Sequence, residues 1–382
     1  MPPTEHILVV DDNPANLRLL SQVLSEHGYH VRAAASGPRA LASIELDPPD
    51  MLLLDIRMPD MDGYEVCRQL KANPHTADIP ILFISALDDT QDKVKAFSSG
   101  GLDYITKPLH VEEVIARVET HLSLRRLQRN LQEANQRMEL ELALAAQVQA
   151  SFMHADAPDI PGWPIAMSLL PAKLTSGDFY DTMRLPNGML GLLVADVVDK
   201  GVGAALYMAM SSTLLRTYTA EHPDQPAVVF QVANERLLEY ATADQFVTVF
   251  LGMLDTRTGE LIYSNAGHDP PVLFSRAQPN EAQLLRNTGL PLGMLADGTW
   301  QQKRVCLDPG DALILYTDGI TEAEDGQSFY GLPRLEEVTL QNWGGSAQRM
   351  HDAILEDVRQ FTHGTAQSDD IALMVVVKVV MV

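Results

Sequence analysis

The chain has 382 residues and a formal net charge of −23, with 28 Lys and Arg residues against 51 Asp and Glu residues. Such a chain lacks the basic clusters that neutralise phosphates, so we expect no nucleic-acid partner. It contains no apolar run long enough to span a membrane and no signal-peptide pattern, so we expect no membrane contact and a cytoplasmic location. The length predicts two or three domains.

In the first third of the chain, apolar runs alternate with helical stretches. The predicted strands are residues 7–10, 30–34, 51–56, 79–85 and 103–106. Nearly continuous apolar strands that alternate with helices are typical of a buried parallel sheet with helices on both faces. We therefore predict a five-stranded, doubly wound α/β domain.

Charged and hydroxyl side chains follow the strands of this predicted sheet. Asp11 and Asp12 end the first strand, Asp55 ends the third, Ser85 ends the fourth, and Lys107 follows the fifth. The carboxyl ends of parallel strands meet at one edge of the sheet. Three carboxylates at that edge repel one another unless a divalent cation or the lysine neutralises them. With a metal bound, the third-strand aspartate becomes a nucleophile able to accept a phosphoryl group.

The motifs VVDDN, DIRMPDMDG, ISA and KP occur in this order. They resemble the receiver domain of bacterial response regulators, which implies a flavodoxin-like fold for residues 1–122. The resemblance implies phosphorylation of Asp55 by a sensor histidine kinase. It also implies a Mg²⁺ ion held by Asp11, Asp12, Asp55 and the carbonyl of Arg57.

The same resemblance assigns roles to the end of the receiver. Lys107 and Ser85 would contact the phosphoryl group, and Tyr104 would turn inward when Ser85 moves toward that group. Pro108 would follow a cis peptide bond.

Residues 123–155 contain no Gly or Pro and are rich in strong helix formers, which predicts a helical linker. Apolar or small residues recur at coiled-coil spacing: Leu124, Leu127, Leu131, Ala134, Met138, Ala145, Val148 and Phe152. Glu141 interrupts the pattern once. Two interpretations stay open, an amphipathic helix lying on its own domain and a coiled coil that joins two copies in a homodimer. We favour the homodimer because the flanking segments resemble an input and an output.

A Pro-rich break at residues 158–164 separates the helix from a third region, residues 156–382. The predicted strands are residues 189–194, 248–254, 261–264, 312–316 and 371–380, and the predicted helices are residues 203–221, 227–241 and 347–361. Strands and helices in separate groups favour an α+β layered fold.

Aspartates recur at strand ends beside Gly or a turn: SGD (Asp178), LLVADVVDKG (Asp196), LILYTDG (Asp318) and QSDD (Asp369, Asp370). Strand ends are rigid and can hold carboxylates with the precision that a metal site needs. Four such carboxylates can hold two hard cations. Two such ions can activate one water molecule and bind a phosphoryl oxygen.

The blocks PAKLTSGDFYD, VADVVDKGVGAALYMAM, FVTVFLGMLD, SNAGHDPP, PGDALILYTDGITEA and QSDDIALMV resemble the metal-dependent serine/threonine phosphatases of the bacterial sporulation and stress-response type. The resemblance implies an αββα sandwich with two Mn²⁺ or Mg²⁺ ions. Asp196 would bridge the ions, with Asp178, Asp318, Asp369 and the carbonyl of Val197 as further ligands.

Three residues are alternative site candidates. Asp181 and Asp370 lie close enough in sequence to a proposed ligand to replace it, and His268 could serve as an acid or a ligand. Two positions depart from the family pattern: Asp199 stands where Gly is frequent, and Asp269 stands where Asn is usual.

Together these resemblances imply a response regulator whose phosphorylation controls a phosphoserine or phosphothreonine phosphatase. The implied substrate is a phosphorylated anti-sigma-factor antagonist in a partner-switching pathway. The alternative is a non-catalytic, phosphatase-like adaptor that binds a sigma factor or an anti-sigma factor. If the linker acts on the catalytic domain, we expect it to act through the helix at residues 203–213, next to Asp196.

Overall fold

The computed structural model describes residues 5–85, 90–153, 157–240, 245–278 and 281–379. Some ends of the predicted domains and elements lie outside the described residues, namely those at residues 1–4, 154–156, 241 and 380–382. The chain divides into two compact units, Met1–Gln136 and Arg137–Val382.

The first unit is a parallel α/β sheet domain. Its strands are β1 (His6–Val10), β2 (His30–Ala34), β3 (Met51–Asp55), β4 (Ile81–Ser85) and β5 (Asp103–Thr106), and its helices are α1 (Pro14–Glu26), α2 (Gly37–Leu46), α3 (Gly63–Ala72), α4 (Thr90–Ser98) and the first part of α5 (Val111–Ala150). The strand order is β2-β1-β3-β4-β5, and every strand pair is parallel. The predicted doubly wound sheet is confirmed.

Helices cover both faces of this sheet, which explains why its central strands are apolar at nearly every position. One core contains Leu8, Leu52 and Phe83, and the core on the opposite face contains Val9 and Leu53. Successive residues of a strand point to opposite faces, so both faces need apolar side chains.

Helix α5 is continuous over 40 residues, so the predicted boundary at residues 122 and 123 is not the end of an element. Residues 131–140 are exposed throughout. Closer to the end of the helix, Leu142, Ala145 and Ala146 are partly buried and Gln149 is buried, with spacings that place them on one helical face. The last turns of α5, which belong to the second unit, therefore pack within it.

The second unit contains two antiparallel sheets and five helices within its described residues. The strands are β6 (Ile165–Leu170), β7 (Phe179–Arg184), β8 (Leu190–Val197), β9 (Val247–Leu254), β10 (Glu260–Ala266), β11 (Val272–Phe274), β12 (Ala282–Leu284), β13 (Lys303–Cys306), β14 (Ala312–Tyr316) and β15 (Ile371–Val377). The helices are α6 (Val202–Glu221), α7 (Pro226–Tyr240), α8 (Asp318–Thr321), α9 (Gly331–Asn342) and α10 (Ala347–Thr362).

The sheets have the strand orders β13-β10-β9-β8-β7 and β12-β11-β14-β15-β6. A core between them combines Val194 and Phe250 of the first sheet with Leu313 and Met374 of the second. A separate core lies between the first sheet and α6 and α7, and another lies between the second sheet and α9 and α10. The layers therefore follow the order αββα, as the family resemblance implies.

Seven elements of the second unit were not predicted from the sequence: β6, β7, β11, β12, β13, α8 and α9. Strand β7 shows one reason, because its sequence, FYDTMR, has Asp181 and Thr182 side by side in a buried strand and lacks the polar–apolar alternation that predicts a strand. Within the described residues, no helix combines the length and the apolar character that crossing a membrane requires.

Candidate functional site

The carboxyl edge of the parallel sheet brings together the three aspartates that the sequence analysis proposed. Oxygen atoms of Asp11, Asp12 and Asp55 all lie within 4.8 Å of one another. Asp11 and Asp55 are buried, whereas Asp12 is exposed. Oxygen ligands at this spacing suit a hard divalent cation.

Lys107 partly neutralises this cluster. Its Nζ donates to Asp11 Oδ2 and to Asp55 Oδ2, each at 3.0 Å. Burial raises the pKa of Asp55, and the hydrogen bond from Lys107 opposes that effect. Burial alone would lower the pKa of Lys107, but its bonds to Asp55 and Asp11 outweigh burial and raise that pKa. One ammonium group therefore compensates two buried carboxylates.

The other receiver candidates lie around the same edge or on β5. Ser85 is buried at the end of β4, and its carbonyl accepts the backbone N–H of Lys107 at 2.7 Å. Tyr104 lies on β5, with its ring centroid 6.1 Å from that of Phe97. Arg57 is exposed two residues after Asp55. The Lys107–Pro108 peptide bond is cis, as expected.

The second unit places the four proposed metal ligands at strand ends. Asp178 directly precedes β7 and Asp196 lies near the end of β8, both in the first sheet. Asp318 begins α8 two residues after β14, and Asp369 lies two residues before β15, both in the second sheet. Apart from burial, repulsion from Asp196 and Asp369 raises the pKa of Asp318, and repulsion from Asp369 raises the pKa of Asp196, so the site lies where the two sheets meet.

Asp178 is the most buried of these four residues, at 2% exposure. Its carboxyl hydrogen-bonds to Asp196 and to the hydroxyl of Thr317, and its Oδ2 atom has no hydrogen-bond partner. Burial and the neighbouring Asp196 hold the pKa of Asp178 well above its ordinary value. An orphaned, buried carboxylate oxygen costs free energy unless a cation binds it.

Asp318 is affected by the same repulsion. Burial, followed by Asp196 and Asp369, raises the pKa of Asp318 to about 7. Burial also raises the pKa of Asp196, and the hydrogen bond to Asp178 opposes this. Without added positive charge, the cluster therefore retains protons near neutral pH.

Two glycines allow the chain segments of this site to approach closely. A Cβ on Gly319 would lie 1.9 Å from the carbonyl oxygen of Asp370, and a Cβ on Gly177 would lie 3.0 Å from the carbonyl oxygen of Val197. The motifs TDG and SGD thus need their glycines because backbone passes directly over them.

Lys200 is a cation of the site that the sequence analysis did not single out. Its Nζ lies 2.8 Å from Asp369 Oδ2 and donates to the carbonyl oxygen of Ser368 at 2.8 Å. It follows Asp199, which has a φ of 82°, a conformation that favours Gly. A lysine four residues after the proposed bridging aspartate was the available signal.

The three alternative candidates have other partners. The Asp370 carboxylate accepts the backbone N–H groups of Ala172 and Gly177, at 2.7 and 2.8 Å. Asp181 forms an ion pair with Arg216 at 2.5 Å. Both aspartates remain candidates, with Asp370 close enough to Asp178 and Asp196 to contribute to their raised pKa values.

His268 is buried, and both ring nitrogens are occupied. Nε2 lies 3.0 Å from the carbonyl oxygen of Tyr316, to which it donates, so Nδ1 accepts from the Thr248 hydroxyl at 2.8 Å. Burial lowers the pKa of His268 to about 4. A neutral imidazole with both nitrogens hydrogen-bonded links β9 to the end of β14, and its role as an acid or a ligand stays a prediction.

Comparison with known proteins decides the family. The family model described as Stage II sporulation protein E (SpoIIE) matches residues 186–378, just over half of the chain. The chain belongs to the SpoIIE family. The model of the response regulator receiver domain matches residues 7–119, so this SpoIIE protein carries an N-terminal receiver domain.

The individual proteins that resemble the chain match it over only part of their own length. Protein IcfG of Synechocystis is 32% identical over 264 residues, which are 62% of this chain and 41% of IcfG. Phosphoserine phosphatase RsbU of Bacillus subtilis is 28% identical over 244 residues, 62% of this chain and 69% of RsbU. The crystal structure of the RsbU and RsbW domains of Rv1364c from Mycobacterium tuberculosis is 26% identical, with a TM-score of 0.51, and covers 60% of this chain and 63% of that chain.

The side chains of the SpoIIE domain fit divalent cations. The donor set consists of carboxylate oxygens, which hard cations prefer, and the free Oδ2 of Asp178 is a buried atom that lacks a partner. In the described part of the chain, the receiver aspartates are the set of three acidic groups that converges within 4.8 Å.

Proposed function

We propose that this SpoIIE protein is a response regulator in which phosphorylation of Asp55 controls a metal-dependent phosphoserine or phosphothreonine phosphatase. The observation that carries the proposal is the cluster of Asp178, Asp196, Asp318 and Asp369, in which burial and repulsion raise the pKa of the first three and one Asp178 oxygen is unpaired. Such a cluster is costly in a domain that binds no cation.

In this proposal Asp178, Asp196, Asp318, Asp369 and the Val197 carbonyl hold two Mn²⁺ or Mg²⁺ ions. Bound ions of this kind lower the pKa of water and stabilise charge on phosphoryl oxygens. Thr317 orients Asp178: its hydroxyl hydrogen-bonds to that carboxyl and accepts the N–H of Ala372 at 2.8 Å.

The receiver supplies the control. Asp55 accepts a phosphoryl group from a sensor histidine kinase, with Mg²⁺ held by Asp11, Asp12, Asp55 and the Arg57 carbonyl. Lys107 already contacts the Asp55 carboxylate, so it can neutralise charge on the phosphoryl group as that group arrives.

The proposed substrate is a phosphorylated anti-sigma-factor antagonist. RsbU is a phosphoserine phosphatase, which supports the phosphoserine class for this chain. The formal charge of −23 supports a protein substrate over nucleic acid.

We also propose that α5 pairs with a second copy of the chain. Leu124, Leu127, Leu131 and Met138 are 51–65% exposed on this helix, at the spacing of a coiled-coil seam. We expect Leu127→Glu with Leu131→Glu to give a monomer in sedimentation velocity, and Gln128→Glu to leave the dimer intact. A monomeric unsubstituted protein contradicts the dimer.

The test of the function is turnover of p-nitrophenyl phosphate with Mn²⁺, with and without a small-molecule phosphodonor. We expect turnover that is lost in Asp196→Ala and that responds to the donor only while Asp55 is present, as shown by Asp55→Ala. Turnover that is unaffected in Asp196→Ala contradicts the assigned site.

One observation favours the second candidate, the non-catalytic adaptor. The Lys200 ammonium already pairs with Asp369, so the chain itself supplies part of the charge that a metal would provide. Metal binding without turnover in either phosphorylation state, together with a stable complex with a sigma factor or an anti-sigma factor, would establish the adaptor.

A further inference from the structure

Gln149, in the last turn of α5, is 6% exposed. Both ends of its side-chain amide bind the backbone of Ser176: Nε2 donates to the Ser176 carbonyl, and Oε1 accepts the Ser176 N–H at 3.1 Å. Glutamine is mostly exposed in proteins. A buried glutamine that pairs with both backbone groups of one residue fixes the position of that residue.

Ser176 belongs to a segment that enters the proposed metal site. Gly177 donates its N–H to Asp370 Oδ2 at 2.8 Å and lies against the Val197 carbonyl. The next residue is Asp178, whose unpaired oxygen marks the cation site. The segment thus runs from the Gln149 amide to a proposed ligand in two residues.

The segment has little freedom to move independently of the helix. Ser176 is 1% exposed, so a displaced Gln149 amide would leave a buried N–H and a buried C=O without partners. Moving the segment with the amide avoids that cost. Met153, just beyond the helix, packs against the core that contains Val197, so the end of α5 is anchored beside the same strand.

We propose that Gln149 is a positioning residue through which α5 sets the metal affinity of the phosphatase site. The amide holds Ser176, Ser176 fixes Asp178, and a rotation or shift of the helix changes how well Asp178 can bind a cation. This inference rests on the proposed function, because it assigns the regulation of the same site. It places one contact of α5 at Ser176, beside the helix at residues 203–213 through which we expected the linker to act.

The test uses the full chain with Asp12→Ala and Asp55→Ala, which remove the receiver metal site. Mn²⁺ binding is titrated calorimetrically in Gln149→Met, which keeps the length of the side chain without its hydrogen bonds. The matched control is Gln147→Met, at an exposed glutamine of the same helix. Because outer hydrogen-bond partners of metal ligands typically change affinity about 10–100-fold, we expect at least a tenfold loss in Gln149→Met and none in the control.

A positioning role also predicts that saturating Mn²⁺ restores the turnover number of Gln149→Met, which a general loss of folded protein would not allow. Equal Mn²⁺ affinity in Gln149→Met and Gln147→Met overturns the inference. If Gln149→Met does not fold, Gln149→Glu, which keeps the acceptor for the Ser176 N–H, replaces it, and unchanged affinity again overturns the inference.

The regulatory part is tested with Asp55 and Asp12 intact. We expect the phosphodonor to shift the Mn²⁺ concentration for half-maximal turnover in the unsubstituted chain and in Gln147→Met, but not in Gln149→Met. A shift of the same size in all three proteins overturns the coupling. Mn²⁺ binding without turnover in the unsubstituted chain contradicts only the proposed function, because the affinity comparison of the two glutamine variants still tests the inference.

Discussion

The two carboxylate clusters of this chain differ in how their charge is balanced. In the receiver, Asp11 and Asp55 share the ammonium group of Lys107, which contacts both at 3.0 Å. In the SpoIIE domain, Asp178 hydrogen-bonds to another carboxylate, Asp196, and keeps one oxygen unpaired. In the receiver one ammonium group compensates both buried carboxylates, whereas in the SpoIIE cluster Lys200 pairs only with Asp369, and the protons on the other carboxylates are ones that a bound metal would replace.

Asp178→Asn should show the largest difference between the two carboxylate clusters. The amide resembles the protonated carboxyl that the site holds without metal, so we expect unchanged stability in the metal-free protein. With the ligand lost, turnover should fall about a thousandfold or more, since bound metal stabilises the transition state by several kcal/mol. Turnover kinetics check the loss of activity, and thermal unfolding checks the unchanged stability. Asp11→Asn is the control and should leave turnover without a phosphodonor unchanged. A similar loss of turnover in Asp11→Asn would contradict the assignment of different roles to the two clusters.

The pH dependence of Mn²⁺ binding should show the protons of the phosphatase cluster. The pKa of Asp318 is about 7 in the metal-free fold, so affinity should fall about tenfold per pH unit below that value. Since this folded-state pKa lies above the unfolded value, the free energy of unfolding without metal should fall as pH rises from about 4 to 7. Mn²⁺ titrations and melting curves across this pH range test the direction of both changes. A Mn²⁺ affinity that does not depend on pH contradicts the prediction.

Lys107→Met should remove the positive charge that compensates the receiver carboxylates. Removing one partner of a buried ion pair costs about 3–5 kcal/mol. Lys107 is 24% exposed, so we expect the free energy of unfolding of the receiver to fall by about 2 kcal/mol. Mg²⁺ should restore part of the lost stability, and Lys107→Arg should lose less stability than Lys107→Met. Calorimetric unfolding measures both effects. Unchanged stability in Lys107→Met would mean that the carboxylates carry less charge than the geometry implies.

The smallest effect concerns the turn that carries Lys200. Asp199 has a φ of 82°, and its Oδ1 accepts the Lys200 N–H at 2.8 Å. Asp199→Gly removes the backbone strain and loses that bond, for a net gain of about 0.5 kcal/mol. Asp199→Ala keeps the strain and loses the bond, so it should destabilise by about 1 kcal/mol. Chemical denaturation of both variants gives the comparison, and the reverse order contradicts the account.

The sequence predicted the receiver better than the phosphatase domain for a physical reason. The central strands of a doubly covered parallel sheet are almost entirely apolar, as MLLLD of β3 and ILFIS of β4 are, and both were predicted to within two residues. In the SpoIIE domain, β7 contains Asp181, which is buried beside Arg216 of a later helix. Local pattern cannot show a partner that is 35 residues away in sequence, so a polar, buried strand was missed.

The site shows the same limit. Motifs predicted the carboxylates because an aspartate beside Gly at a strand end is a local signal. Thr317, Lys200 and Gln149 were missed because their roles depend on contacts between distant segments. Gln149 also occupies a helix that was interpreted through its apolar residues alone, whereas its spacing from Leu142 and Ala146 places it on the buried face.

The most direct test of this account is a crystal structure of the full chain with Mn²⁺, with the ions located by anomalous scattering. We expect two ions in the SpoIIE domain, with Asp196 between them and Asp178, Asp318 and Asp369 as ligands, and Lys200 no longer paired with Asp369. Manganese confined to the receiver, with the Lys200–Asp369 pair intact, would contradict the assignment of a metal-dependent phosphatase.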